Sequence, residues 1–229
     1  MPANTALTPK QENLPDFLKD IAPLGNEDAG TVLQIPFMKL LSSLAPELKK
    51  KVGGQANPKF IEGAEEGNFI NSSTNEIYGD SVDVICCYTK SQFKVWKKFE
   101  TGGGFEGNFL TNAEALAYVQ AHETSEDLEI QETDDHALLI NNKPVVFSCA
   151  RSKLWPSRTW STAIVKTGLC RWAKVWKLSS VSLTSRKSGA EYITFSASDT
   201  GKFVDEATAE RGEKLYEEQT DSKLLETPA

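Results

Sequence analysis

Between Ala137 and Ala190 the chain has no Asp or Glu at all. The basic residues there are Lys143, Arg151, Lys153, Arg158, Lys166, Arg171, Lys174, Lys177, Arg186 and Lys187, and they are interleaved with Trp155, Trp160, Trp172 and Trp176. All 32 acids lie elsewhere, against 15 of the 25 Lys and Arg, so a net charge of −7 conceals −17 on the remainder of the chain. The mean charge is therefore a poor guide to partners. A local positive field acts over about 10 Å, whatever the charge beyond that distance.

At 229 residues, 39% of them hydrophobic, the chain suffices for one well-buried domain with polar extensions. No apolar run approaches the roughly 20 residues that span a membrane. The Met1–Thr5 start lacks the basic stretch and apolar core of a secretory leader, so a cytoplasmic protein is expected. Cys86, Cys87, Cys149 and Cys170 show no C-x-x-C spacing and read as buried thiols. Phosphate loops, nucleophile elbows and zinc-protease motifs do not occur, and the two histidines suggest no triad. The expectation is a protein that is not an enzyme and carries no cofactor or metal. The weaker alternative is a hard cation held by Asp134-Asp135-His136.

Residues 1–55 read as a polar arm with short helices: Leu14–Leu18 as an anchor, and Met38, Leu41 and Leu44 at near-helical spacing before Pro46. Strands are expected from Phe60. On Ser81–Tyr88, alternation places Val82, Val84, Cys86 and Tyr88 on one face, and a basic-aromatic strand continues through Trp96 to the triple glycine at 102–104. A capped helix is predicted over 111–122, then a solvated loop or strand edge at 123–135, where seven of thirteen residues are acidic. A strand at 143–150, a short helix from Pro156 to about Lys166 closed by Gly168, and strands at 170–184 and 190–197 around a turn at Arg186–Gly189 complete the core. A charged helix follows from Asp205 to about Gln219, and then a polar tail.

Five strands with a helix between the third and fourth is the order of an OB-fold. The predicted class is mainly β with peripheral helices (α+β). It consists of an OB-like five-stranded barrel at 56–204 with a large insertion at about 99–142, flanked by the N-terminal arm and by the helix and tail of 205–229.

On Cys170–Leu178 the two-residue period puts Trp172, Lys174 and Trp176 on one face, and on the earlier strand it groups Lys94, Trp96 and Lys98. Rings beside cations on one surface suit single-stranded nucleic acid, whose bases stack and whose phosphates pair. Arg151, Lys153 and Arg158 would extend the track, and the glycine loop would bring Phe105 over it. Trp96 is the foremost stacking residue. Trp160 is expected to plug the barrel, and core packing competes for Trp172 and Trp176.

Several segments carry a family likeness: Leu33–Glu47, Gly67–Asn71, Lys94-Val95-Trp96 with the triple glycine, Arg158–Thr162, Trp172–Leu178 and Gly201–Val204. Through them the chain resembles tailed-bacteriophage single-stranded DNA-binding proteins. The resemblance covers most of 30–216 and implies an OB-like barrel that coats single-stranded DNA in the host cytoplasm during phage replication or recombination. It also implies phage replication or transcription proteins as partners, since some such proteins help a viral RNA polymerase engage DNA. Such proteins often end in a strongly acidic tail, whereas Asp221–Ala229 is only mildly acidic. A homo-oligomer is compatible with this reading, and a membrane role is not. The alternatives are a virion structural or assembly protein and an RNA-polymerase accessory factor.

Overall fold

The computed structural model describes residues 35–185 and 188–220. The expected arm to residue 34 with its Leu14–Leu18 anchor, Arg186 and Lys187 of the expected turn, and the tail from Asp221 lie outside the described residues. In chain order the strands are β1 (Phe37–Leu40), β2 (Lys51–Val52), β3 (Gln55–Ala56), β4 (Phe69–Asn71), β5 (Ile77–Gly79), β6 (Ser81–Lys97), β7 (Gly104–Phe109), β8 (Leu128–Ile140), β9 (Lys143–Ala150), β10 (Lys174–Thr184) and β11 (Glu191–Phe203). The α-helices are α1 (Asn112–Ala121), α2 (Leu154–Lys166) and α3 (Glu206–Thr220).

The fold is mainly β, and its sheet is curled. Nine strands form one sheet in the order β11-β10-β6-β8-β9-β1-β4-β5, with β7 also on β6, while β2 and β3 make a separate hairpin. The five-strand order expected from the sequence thus expands, because the presumed insertion supplies β7, α1 and β8. The last of these is a central strand, lying between β6 and β9. Met38 lies on β1 instead of a helix, and the expected strand through 60–78 is reduced to β4 and β5.

Alternation holds along β6 only as far as Cys86. Cys86 pairs with Leu138 and Tyr88 with Ala137, so the register slips by one residue. Directly opposed residues share a face, and Tyr88 therefore turns away from Val82, Val84 and Cys86. Its ring meets Tyr216 of α3, with centroids 6.0 Å apart. Thr89 and Ser91, opposite His136 and Asp134, take over the face that Tyr88 was expected to continue.

That face is the core. Helix α2 starts with Pro156 in its first turn and stops at Gly168, whose φ is +69°. It buries Pro156, Ser157, Trp160 and Ile164. Trp160 and Ile164 pack among Val84, Cys86, Leu138, Phe147, Trp176, Leu178 and Phe195. Trp160, expected as the plug of a barrel, thus fills the core between α2 and the sheet. Burial of such a side chain stabilises by roughly 1.5–3 kcal/mol. Helix α1 begins with a capping box: Thr111 accepts the Glu114 N–H (3.2 Å), and Glu114 accepts the Thr111 N–H (3.1 Å). It closes a smaller cluster of Val95, Ala115 and Leu128.

Helix α3 crosses Trp172 at Gly212. A Cβ built on Gly212 would lie 2.7 Å from Trp172 Cβ and 2.9 Å from its Cγ. Gly212→Ala should therefore lower stability by about 1–2 kcal/mol in urea unfolding, despite a helix-propensity gain near 1 kcal/mol. A net gain would mean that the helix rides clear of the indole.

Candidate functional site

Of the acidic run expected as a solvated loop or strand edge, residues 128–135 form the first half of β8, and their carboxylates meet the basic segments. Arg151 Nη2 lies 2.8 Å from Glu129, Arg158 pairs with Glu132, and Arg158 Nε is 3.9 Å from Asp134. On the face opposite Glu132 and Asp134, which also carries Glu129, Lys94 Nζ stands 2.7 Å from Asp135, which also accepts from Gln92 and Ser148. Charge separated along the sequence is thereby brought together in space.

Beneath α2 the polar residues form a directed chain. An Arg171 guanidinium N–H donates to Thr89 Oγ1 (2.7 Å), and the Thr89 hydroxyl lies 2.8 Å from His136 Nδ1. His136 Nε2 is 2.7 Å from Ser157 Oγ, whose proton goes to Asp134 Oδ2 (2.8 Å), and Ser91 donates to Asp134 Oδ1 (2.7 Å). With the Ser157 proton spent on Asp134, Nε2 must be the donor to Ser157 and Nδ1 the acceptor from Thr89. Burial, aided by the Arg171 charge, pulls the His136 pKa down to about 3, which keeps the ring neutral. Ser, His and Asp are neighbours here, but not in the order of a catalytic triad: the serine proton goes to Asp134 and not to the imidazole. Ser157 and His136 are both fully buried. The arrangement ties α2 to the sheet. Asp134 and His136 face α2 while Asp135 faces away, so the three consecutive residues cannot converge on one cation.

The predicted binding residues are dispersed. Lys94 is largely buried in its ion pair. Trp96 is half-buried, with its ring edge-on to Phe105 at 5.2 Å. Lys98 is exposed and donates to the Glu126 carbonyl. Lys153 is half-buried near Cys149, and desolvation lowers its pKa. Trp172 belongs to a 3-10 turn at Arg171–Ala173 that precedes β10, and it packs against Tyr216 at 5.3 Å. The expected face of Trp172, Lys174 and Trp176 does not form: β10 begins only at Lys174, and its pairing with β11 is irregular between Lys174 and Trp176. Lys174 pairs with Asp199, and Trp176, 4% exposed, joins the core. Of the cysteines Cys170 is exposed, contrary to expectation, and the other three are buried.

Arg151 and Arg158 remain at the surface with a residue that sequence reasoning passed over. Trp155 is 74% exposed at the head of α2. Helical spacing carried the signal: Ser157, Trp160 and Ile164 form the buried stripe, whereas Trp155, Thr159, Thr162 and Lys166 fall on the opposite side. Beside them is a cleft of about 440 Å³ lined by Glu129, Ile130, Gln131, Glu132, Arg151 and Leu154. It exists because β9 pairs with β8 only from Thr133 onward and turns off at Ala150 into Arg151, which has a φ of +52°. Residues 128–132 of β8 therefore have β6 on one side and no strand on the other.

Among the described residues no helix is long and apolar enough to cross a membrane. Comparison with known families makes this a bacteriophage protein. A family model described as Pam3 phage gp34-like protein matches residues 8–224, and the chain belongs to that family. No curated protein and no solved structure matches it.

Proposed function

We propose that the protein binds single-stranded DNA with little sequence preference during phage replication or recombination, through the surface formed by Arg151, Trp155 and Arg158. The exposed Trp155 indole carries this reading. It offers an open ring face one helical turn from Arg158 and close in sequence to Arg151, the combination that stacked bases and phosphates require. Both arginines are paired, but at exposed positions, 69% for Arg151 and 53% for Arg158. Such pairs are worth about 0–1 kcal/mol and exchange readily for a phosphate. The Trp96–Phe105 pair and Lys98 make a secondary surface. The curled sheet with α2 packed on it is, in this reading, an open and enlarged relative of the OB-type frame.

Fluorescence anisotropy with labelled oligo(dT) at about 50 mM salt tests the reading, since electrostatic binding is strongest at low salt. Trp155→Ala should weaken binding by about 1–3 kcal/mol with an unchanged unfolding curve. Absence of binding by the wild type would favour a virion assembly role. Phe99 (90% exposed) and Leu44 (78%) would then serve as contacts to neighbouring subunits. Pull-down with the phage RNA polymerase separates the accessory-factor variant.

A further inference from the structure

The β2–β3 hairpin is built without burying anything. Lys51, Val52, Gln55 and Ala56 are all exposed, and the turn is Gly53-Gly54 with φ of +60° and +83°. Two successive positive φ values define the tight primed turn that matches strand twist, and glycine adopts both without strain. So short a hairpin has little stability of its own. Asn57 holds its base: the side-chain amide donates to the carbonyls of Pro46 (2.7 Å) and Lys49 (2.8 Å), and the backbone N–H donates to that of Lys50 (3.0 Å). The stem is further tied where the Ile61 N–H donates to the Glu47 carbonyl (2.9 Å), beside the cluster of Leu41, Ile61 and Ile70.

What this ordered finger presents is positive charge. Lys49, Lys50, Lys51 and Lys59 are exposed, and no acid occurs between Leu48 and Phe60. The neighbouring Glu47 is buried and engaged by Lys39 at 3.0 Å. Among the described residues no ion pair involves any of the four lysines, in contrast to Lys94, Arg151, Arg158 and Lys174. Lys50 is steadied 5.6 Å from the centroid of Phe60. Lys51 opens β2, and Lys50 sits at the bend that leads into it.

We infer that this hairpin is a phosphate-contacting finger for the backbone of a nucleic-acid strand, a second contact beyond the Trp155 surface. It rests on the single-strand-binding reading given above. Its contribution is sequence-blind and appears in the salt dependence of affinity, because each phosphate neutralised releases condensed counterions.

The test is K49Q/K50Q/K51Q in the full chain, titrated with labelled oligo(dT) at several salt concentrations beside the wild type. A second variant, K143Q/K202Q/K214Q, changes net charge equally at exposed lysines elsewhere. The hairpin variant should fold normally, and its log–log salt slope should be shallower by about 2 units for three lost contacts. The second variant should keep the wild-type slope. If the wild type binds and the hairpin variant keeps its slope, or both variants lose it equally, the finger is overturned while strand binding stands. If the wild type binds nothing at low salt, both readings fall together.

Discussion

Stability in urea should decline as the pH is lowered from about 6.5 toward 3, by roughly 3 kcal/mol between pH 7 and pH 4 from His136 alone. The folded state holds His136 neutral with a pKa of about 3, chiefly because the ring is buried and secondarily because Arg171 is near. In the unfolded chain the same ring titrates near 6.5. Between those values the unfolded state binds one more proton, so the slope of stability against pH is positive. The contribution is complete above pH 6.5 and is lost on acidification. Carboxylates add a similar trend at lower pH, and His136→Gln isolates the histidine's share. That variant starts less stable, because the Thr89 hydroxyl loses its acceptor, but its curve should be flatter between pH 6.5 and 4.5. Identical slopes in the two proteins would show that His136 becomes protonated in the folded state, contrary to the hydrogen-bond order deduced from Ser157 and Asp134.

Lys94→Met should cost about 3–5 kcal/mol of folding stability, the usual penalty for leaving a buried charge without its partner. Asp135 is 4% exposed, and Lys94 is the cation it meets, 2.7 Å away. Gln92 and Ser148 also donate to Asp135, but neither neutralises it. Adding Asp135→Asn should recover part of the loss by removing the stranded charge. Urea denaturation of the single and double variants measures both. A single-variant cost under 1 kcal/mol would mean that water or a rearranged side chain solvates the carboxylate. The sequence suggested a different role for Lys94, that of touching phosphate on the same face as Trp96.

Local signals in the sequence predicted local structure well. A capping residue at Thr111 or Asn112, of which Thr111 serves, Pro156 and Gly168 at the ends of α2, and Asp205 before α3 mark helices that form where expected. Long-range pairing left no such mark. Four of the seven acids at 123–135, Glu129, Glu132, Asp134 and Asp135, gave no sign of their pairing because their partners, Arg151, Arg158, Ser157 and Lys94, stand 22 to 41 residues away in the chain. The slip after Cys86 carries no glycine or proline to announce it, so Tyr88 was placed on the wrong face. For the site, the basic-aromatic segment was visible, but a strand period was extended back through Trp172, which lies in a 3-10 turn. Trp155 could have been found from helical spacing. The lysines of the hairpin could have been found from the Gly53-Gly54 turn beside them.

The unpaired side of β8 also bears on how the phage protein behaves at high concentration. A bare strand edge invites a second copy to add itself in register, the first step of sheet polymerisation. Antiparallel addition of one such edge to another would have to displace the long Arg151 and Arg158 side chains that Glu129 and Glu132 hold there. The edge is thus shielded by the same two arginines that form the proposed binding surface, so a ligand that draws them away would also lay the strand bare.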